Sequence, residues 1–339
     1  MFPAVLPAPV GSATFHTLCA VGGALACGVP HTGVTWLDMI KCRLQVNPEK
    51  YRNPIFGWRV SVREGGLLAL TNGWAPTVLG YSLQGFAKFG GYEIFKLAFA
   101  GFLGDEAAYK WRTSVCMAAA GSAELFACML LAPMEAVKVR MQTNGISTLR
   151  STMPAIWRIE GVYGFYKGLP PLWIRQLPYT MVKFAAFERV NELLYRYVVP
   201  KPQQACSVPE QLLVTFVSGY IAGIAAIFCG IVFHPPDAIL SNLHHTPGTT
   251  VAHVVRRLSV DGLWRATFAR VFMVGSMPTA LQWLIYDSFR MFHRIPRHAS
   301  VTATPPDSMP NSLREKLKLN KSDSNDDDGT ANVENRLNR

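Results

Sequence analysis

Gln84 and Lys88 stand four residues apart in one long apolar stretch of the chain, and Tyr179 and Lys183 stand four apart in another. Four residues make about one helical turn, so on helices each pair would share a face. A small doubly charged oxyanion is held by a few cations and hydrogen-bond donors that converge on it. Here Lys88 and Lys183 would supply charge, while Gln84, Tyr179 and Gln282, the last in a third apolar stretch, would supply orientation. Arg270 is a further candidate cation, with contact to lipid headgroups as its alternative. For each lysine the alternative is snorkelling, with the stem in the apolar layer and the ammonium reaching water. Against that, each lies five residues before an acid, Glu93 or Glu188, well inside its stretch.

A second set of charges recurs along the chain. Asp38 precedes Lys41 by three residues, Glu135 precedes Lys138 by three, and Asp237 precedes Leu240 by three. Each is followed by an acid–glycine pair: Glu64-Gly65, Glu160-Gly161 and Asp261-Gly262. A separate series puts an aromatic residue before an acid at Tyr92-Glu93, Phe187-Glu188 and Tyr286-Asp287, with bases at Lys96 and Arg290. The period is about 100 residues, and each copy holds two apolar stretches. Boundaries at 15–105, 106–202 and 203–296 follow, with an N-terminal extension 1–14 and a tail 297–339.

These elements must sit in a membrane. Of 339 residues half are hydrophobic and only 16% are charged, against about a quarter in ordinary soluble domains. No Asp, Glu, Lys or Arg precedes Asp38, and none lies between Glu210 and Asp237. A helical span needs roughly 20 apolar residues. Further candidates run over Trp74 to Phe102, Trp111 to Val139, Pro170 to Val199 and Ala269 to Phe292, making six. The expected fold is an all-α membrane protein of six transmembrane helices, in three tandem two-helix repeats with threefold pseudosymmetry. The net charge of +11 falls mainly near helix ends and connections, where it meets membrane surface or anionic solutes rather than nucleic acid. The polar tail, with Asp326-Asp327-Asp328, is expected to be disordered.

Seven cysteines without a CxxC motif read as small apolar fillers, expected reduced. No basic residue precedes the first apolar run, as a secretory signal requires, and no Arg-rich transit segment stands there. Import is expected to use internal signals. No nucleophile–base set or nucleotide loop appears, so an enzyme and a cofactor are not expected. His244, His245 and His253 lack cysteine partners and make a weak metal site; none is expected. Arg256-Arg257-Leu258-Ser259 has the look of a basophilic kinase site, a pattern common by chance.

The first charge series resembles the P-x-[D/E]-x-x-[K/R] motif of mitochondrial carriers, and the second resembles their [F/Y]-[D/E]-x-x-[K/R] motif. The resemblance covers about residues 15 to 295. It implies an inner-membrane transporter working as a monomer by alternating access, among lipids that include cardiolipin. It further implies the pairs Asp38–Lys138 and Asp237–Lys41 at a matrix gate, with Glu135 left without such a partner because Leu240 stands at the base position. A cytoplasmic gate would join Glu93, Glu188 and Asp287 to Lys96 and Arg290. Prolines at 133 and 235 would kink the odd-numbered helices. The plain alternative is that all these charges only orient helices at the membrane surface.

Within the family, the runs 80–90, 178–184, 280–287 and 131–136, with His31-Thr32 and 199–202, resemble the phosphate carriers. The implied cargo is inorganic phosphate, imported with a proton or in exchange for hydroxide. His31, seven residues before Asp38, is the side chain that titrates near neutral pH; Glu124 and Glu135 are the other coupling candidates the resemblance implies. A packing role is the alternative for His31. The chain departs from the pattern at Trp36, which replaces a proline and removes the expected kink, and at Cys128, which replaces an aspartate. Smaller departures fall at Thr71, Asn72, Asn191, Phe233, Pro236, Ala266 and Pro278. A divergent relative is therefore expected, with sulfate, arsenate or copper ions as alternative cargo, or a transport-inactive structural role.

Overall fold

Helix starts follow the local chemistry of the chain. In the computed structural model, which describes residues 12–145, 147–199, 206–264, 266–267, 276–293 and 295, α1 (Ala13–Gly33) begins at Ser12, whose hydroxyl accepts from the Phe15 amide. After α2 (Thr35–Val46), α3 (Pro54–Gly65) starts with Pro54 in its first turn and Asn53 as its cap. Next come α4 (Trp74–Leu103), the short α5 (Asp105–Lys110) and α6 (Arg112–Thr143). α7 (Leu149–Glu160) opens on a reciprocal cap between Thr148 and Ser151, and stops at Gly161, whose φ of 62° no side-chain-bearing residue adopts readily. α8 (Tyr163–Tyr166) leads into α9 (Leu169–Leu193). α10 (Val208–Val232) opens on a Ser207–Glu210 capping box. α11 (Pro235–His245), α12 (Val251–Arg257), α13 (Val260–Trp264) and α14 (Ser276–Phe292) complete the described α-helices, beside a 3-10 turn at Leu67–Thr71 and a π turn at Leu194–Val198. No strand occurs among the described residues.

The long helices pack in chain order: α1 on α4, α4 on α6, α6 on α9, α9 on α10, α10 on α14, and α14 back on α1. Small residues allow the closest approaches. At Gly23 and Gly85 the backbones of α1 and α4 touch, and a side chain at either would strike the other's carbonyl. Polarity is inverted relative to a soluble protein. Phe126, Ile221, Phe228 and Val232 are exposed, whereas Lys88, Glu124, Lys138, Lys183 and Asp237 are buried. Three helices, α1, α6 and α10, are long and apolar enough by themselves to cross a membrane. α4 and α9 carry Lys88, Glu93 and Lys96, and Arg175, Lys183 and Glu188, in mid-helix. Those charges face inward, which lets an otherwise polar helix meet lipid with its apolar side.

Helix breaks do not all fall at prolines. α6 runs uninterrupted through Pro133, while the chain does break between α10 and α11, just before Pro235. The chain also breaks between α1 and α2, at Val34, although Trp36 stands where a proline was expected. Pro30 inside α1 removes one backbone hydrogen bond, and Gly33 is a weak helix former; together they bend the chain two residues before Trp36.

Where α2, the C-terminal half of α6 and α11 converge, three contacts repeat in register. Arg43 Nε donates to the Gln142 carbonyl at 2.9 Å, Arg140 Nε to the His244 carbonyl at 3.1 Å, and Asn242 Nδ2 to the Gln45 carbonyl at 3.2 Å. Each donor lies five residues after Asp38, Glu135 or Asp237, and each acceptor seven residues after the next of these acids. The contacts form a cycle joining the three segments.

Outside this seam Glu160 ties three elements together. It pairs with Arg140 at 3.1 Å and Lys167 at 2.8 Å, and accepts from the Gly248 amide at 2.6 Å. Burial pushes its carboxyl up, but the Lys167 hydrogen bond, the Gly248 amide and the two cations outweigh it and hold the carboxyl below its usual value. Its contribution is therefore present at neutral pH and is lost as pH falls through the carboxylate range. Glu160→Gln should cost on the order of 2 kcal/mol, read as a lower Tm of the purified protein at neutral pH. An unchanged Tm would show that Glu160 does not tie these elements.

Candidate functional site

A small cavity of about 50 Å³ lies at the centre of the helix ring, lined by His31, Asp38, Lys41, Tyr81, Gln84, Lys88, Arg175, Gln176, Tyr179, Lys183, Pro278, Thr279 and Gln282. It is brought together from α1, α2, α4, α9 and α14. Gln84, Lys88, Tyr179, Lys183 and Gln282, singled out for anion chemistry, all line it, as does His31. Arg270 lies outside the described residues, as do most of the N-terminal extension and the tail from 297. A larger cavity of about 650 Å³ opens between the end of α2 and α12. It lies past the seam and lacks the converging buried cations, so the smaller one is the better candidate.

The two lysines stand in different states. Lys88 Nζ pairs with Glu124 at 2.8 Å, and Gln84 Nε2 donates to the other oxygen of the same carboxylate at 2.6 Å. Cys128, one turn further along α6, lies with its thiol 3.4 Å from Glu124. Lys183 has no carboxylate within ion-pair distance among the described residues. Its ammonium donates to Gln282 Oε1 at 2.7 Å and lies 5.2 Å from the Tyr179 ring centroid. Gln282 Nε2 in turn contacts the Cys27 sulfur. The His31 Nδ1 lies 2.8 Å from the Cys27 carbonyl, which can only accept, so Nδ1 carries the hydrogen and Nε2 is left as the proton-accepting atom.

Below the cavity a closed ring of alternating charge joins four helices. Asp38 meets Lys138 at 2.8 Å; Lys138 meets Glu135 at 2.7 Å; Glu135 meets Arg175 at 3.8 Å; Arg175 bonds Asp237; Asp237 meets Lys41 at 3.1 Å; and Lys41 returns to Asp38 at 3.1 Å. All six side chains are almost fully buried. Gln45 braces the ring from outside, donating to Asp237 at 3.1 Å and accepting from Ser241 at 2.7 Å. Glu135 was expected to lack the base that Leu240 replaces, and none stands at that position; Lys138 of its own helix and Arg175 of α9 supply the charge instead. Sequence reading missed Arg175, although its spacing from Tyr179 and Lys183, four and eight residues, puts all three on one face of α9.

Above the cavity the helices present aromatic rings, then charge again. Along α4, α9 and α14 the order is Lys88, Phe89, Glu93; Lys183, Phe184, Glu188; and Gln282, Trp283, Asp287. Phe89 lies 4.3 Å from Tyr286, Phe184 lies 5.1 Å from Trp283, and Phe187 stacks on Trp283 at 3.6 Å. Beyond these rings Lys96 pairs with Glu188 at 3.1 Å, and Tyr92 donates to the same oxygen at 3.2 Å. Asp287 accepts from Thr215 of α10 at 2.5 Å, and the Arg290 guanidinium lies 5.6 Å from the Tyr286 ring. Glu93, Lys96, Glu188, Asp287 and Arg290 share one small cavity with the rings. Thr215 carries no sequence signal that would have marked it.

Removing Arg175 leaves three acids facing two bases in a buried ring, which should cost about 3 kcal/mol. Arg175→Gln is expected to lower the Tm, and adding Leu240→Lys to recover most of the loss. An Arg175→Gln protein as stable as wild type would show that the ring does not need its third cation.

A family model described as mitochondrial carrier protein matches residues 13–102 and 110–198. The chain is 52% identical over 309 residues to solute carrier family 25 member 3 of Bos taurus, across 91% of this chain and 83% of that one. It is 52% identical over 309 residues to the mitochondrial phosphate carrier protein of Caenorhabditis elegans, across 91% and 88%. To the probable mitochondrial phosphate carrier protein of Schizosaccharomyces pombe it is 41% identical over 309 residues, across 87% and 98%. The family is one of carriers rather than enzymes, and this chain belongs to it: it is a mitochondrial carrier protein.

Proposed function

We propose that the chain imports inorganic phosphate into the mitochondrial matrix together with a proton, or equivalently in exchange for hydroxide. The reading includes six spans of the inner membrane as three two-helix repeats, 15–105, 106–202 and 203–296, around a threefold pseudo-axis. The cyclic seam of Arg43, Arg140 and Asn242 supports that arrangement. The names of phosphate carrier relatives about half identical over nine-tenths of the chain point to phosphate. The observation that carries the chemistry is the pair of buried lysines facing one central cavity, one paired to an acid and one not.

In this reading the six-charge ring is the matrix gate and the set around Lys96 and Glu188 the cytoplasmic gate. Phosphate enters from the cytoplasmic side past the aromatic layer, and Lys183, Tyr179 and Gln282 receive it. Glu124 holds Lys88 and Gln84 while it is ionised. A proton on that carboxyl abolishes its claim on the ammonium, and both side chains turn to the anion. Proton and phosphate therefore load together, because each removes the obstacle to the other. His31 Nε2 is the second proton-accepting atom, and Glu135 couples through the ring. Access then alternates as one charge set opens while the other stays closed. The protein acts as a monomer among inner-membrane lipids that include cardiolipin. The transport-inactive reading leaned on Trp36 and Cys128: the chain breaks at Val34 without a proline at 36, while Cys128 stands beside Glu124 in place of an aspartate.

The test is uptake of labelled phosphate by liposomes holding the purified protein, with and without an inward proton gradient. Uptake should rise with the gradient and fall on the order of 100-fold in Lys183→Ala, the size of a lost charge-assisted contact or two. Sulfate and arsenate in parallel vessels test selectivity. Folded wild-type protein that moves no phosphate would overturn the assignment.

A further inference from the structure

Tyr81 of α4 stands between the cavity and the charge ring. Its ring stacks on the His31 imidazole, centroids 4.0 Å apart and planes 14° from parallel. The Lys138 ammonium lies 5.2 Å from the same centroid. Lys138 is the base that meets both Asp38 and Glu135. Tyr81 is buried and lines the cavity, so water screens none of these contacts strongly.

The face of a phenol ring is electron-rich and attracts a cation. While His31 is neutral, Lys138 alone draws on that attraction. A proton on His31 Nε2 turns the stacked imidazole into a second cation against the same ring. The two cations then divide one π-system and repel each other, and Lys138 is held less firmly between its acids. Other charged groups face His31 from the elements around it: Lys88 of α4, Lys138, Glu124 and Glu135 of α6, Lys183 and Arg175 of α9, Asp38 and Lys41 of α2, and Asp237 of α11 beyond them. The acids offset every cation but Lys183, whose ammonium has no carboxylate within ion-pair distance among the described residues, so an anion in the cavity is what makes an imidazolium tolerable there. The proton on His31 thus arrives with the cargo.

We propose that Tyr81 is a positioning residue for proton coupling: its ring relays the charge on His31 to Lys138, so that a loaded proton loosens the matrix gate. The inference rests on the proton-coupled transport proposed above. Its direction suits import, since loading from the cytoplasmic side weakens the opposite barrier. It also separates the ring from the hydroxyl, because only the π-face takes part.

The experiment measures initial phosphate uptake into proteoliposomes across the neutral pH range. It compares wild type with Tyr81→Phe, Tyr81→Leu, Tyr81→Met, His31→Gln and the His31→Gln/Tyr81→Leu double variant. Tyr81→Phe should keep the wild-type pH profile. Tyr81→Leu should lose roughly tenfold in the ratio of acid to alkaline uptake, the size of a desolvated cation–π contact. The double variant should match His31→Gln alone, because no charge remains to relay. Tyr81→Met fills a similar volume and replaces the leucine variant should that one fail to fold. A wild-type profile in the Leu or Met variant, loss of the profile in Phe, or additive effects in the double variant would overturn the relay. Absence of uptake by wild type would instead remove the transport reading and this inference with it.

Discussion

Buried charge is the constraint on which the rest of the molecule depends. An ion taken out of water is tolerated only where a partner and hydrogen bonds replace the solvent. Asp38, Lys138, Glu135, Arg175, Asp237 and Lys41 meet that condition by closing a circuit of alternating sign. A circuit has no unpaired end, so no single member carries an uncompensated charge. It also makes the helices interdependent, since α2, α6, α9 and α11 must all be in place for any of the six to be satisfied. Such a closure is suited to opening as a unit: once one contact fails, its neighbours face water or bare charge and lose their reason to stay.

The same constraint explains the inverted layout. Residues facing outward between the helix ends are apolar, and the interior holds the ions. Between the two charge sets the layer of Phe89, Phe184, Trp283 and Tyr286 excludes water without any charge of its own. The central cavity is therefore bounded by ions on one side and rings on the other. Within it Lys183 has no carboxylate among the described residues, and Lys88 is already engaged by Glu124. In the function proposed above, that asymmetry is what would couple an anion to a proton.

Much of this was legible before any coordinates, because the acid–x–x–base pattern repeats at a fixed period and repetition suppresses chance. The same regularity hid what broke it. Arg175 occurs once, on α9, the fourth of the six apolar stretches, and so fell outside every series, although it supplies the charge that Leu240 does not. In the sequence Trp36 removes the expected kink, yet the helix breaks at Val34, after Pro30 and Gly33, since a lost backbone hydrogen bond elsewhere near the right depth will serve. The Lys88–Glu124 pair joins neighbouring helices, and no local spacing announces such a contact. The seam contacts end on backbone carbonyls, which no side-chain pattern can reveal.

The claim that matters most is that the buried ring is a moving closure rather than a fixed strut. Spin labels on genetically encoded side chains at Asn47 and Asn144, both exposed beyond the ring, would leave the seven native cysteines in place. The distance between them can be measured in liposomes by pulsed electron resonance, without phosphate and with phosphate at acidic pH. A second, longer distance populated only with phosphate and protons is the predicted result. One unchanged distance under every condition, in protein shown to be folded, would contradict the account.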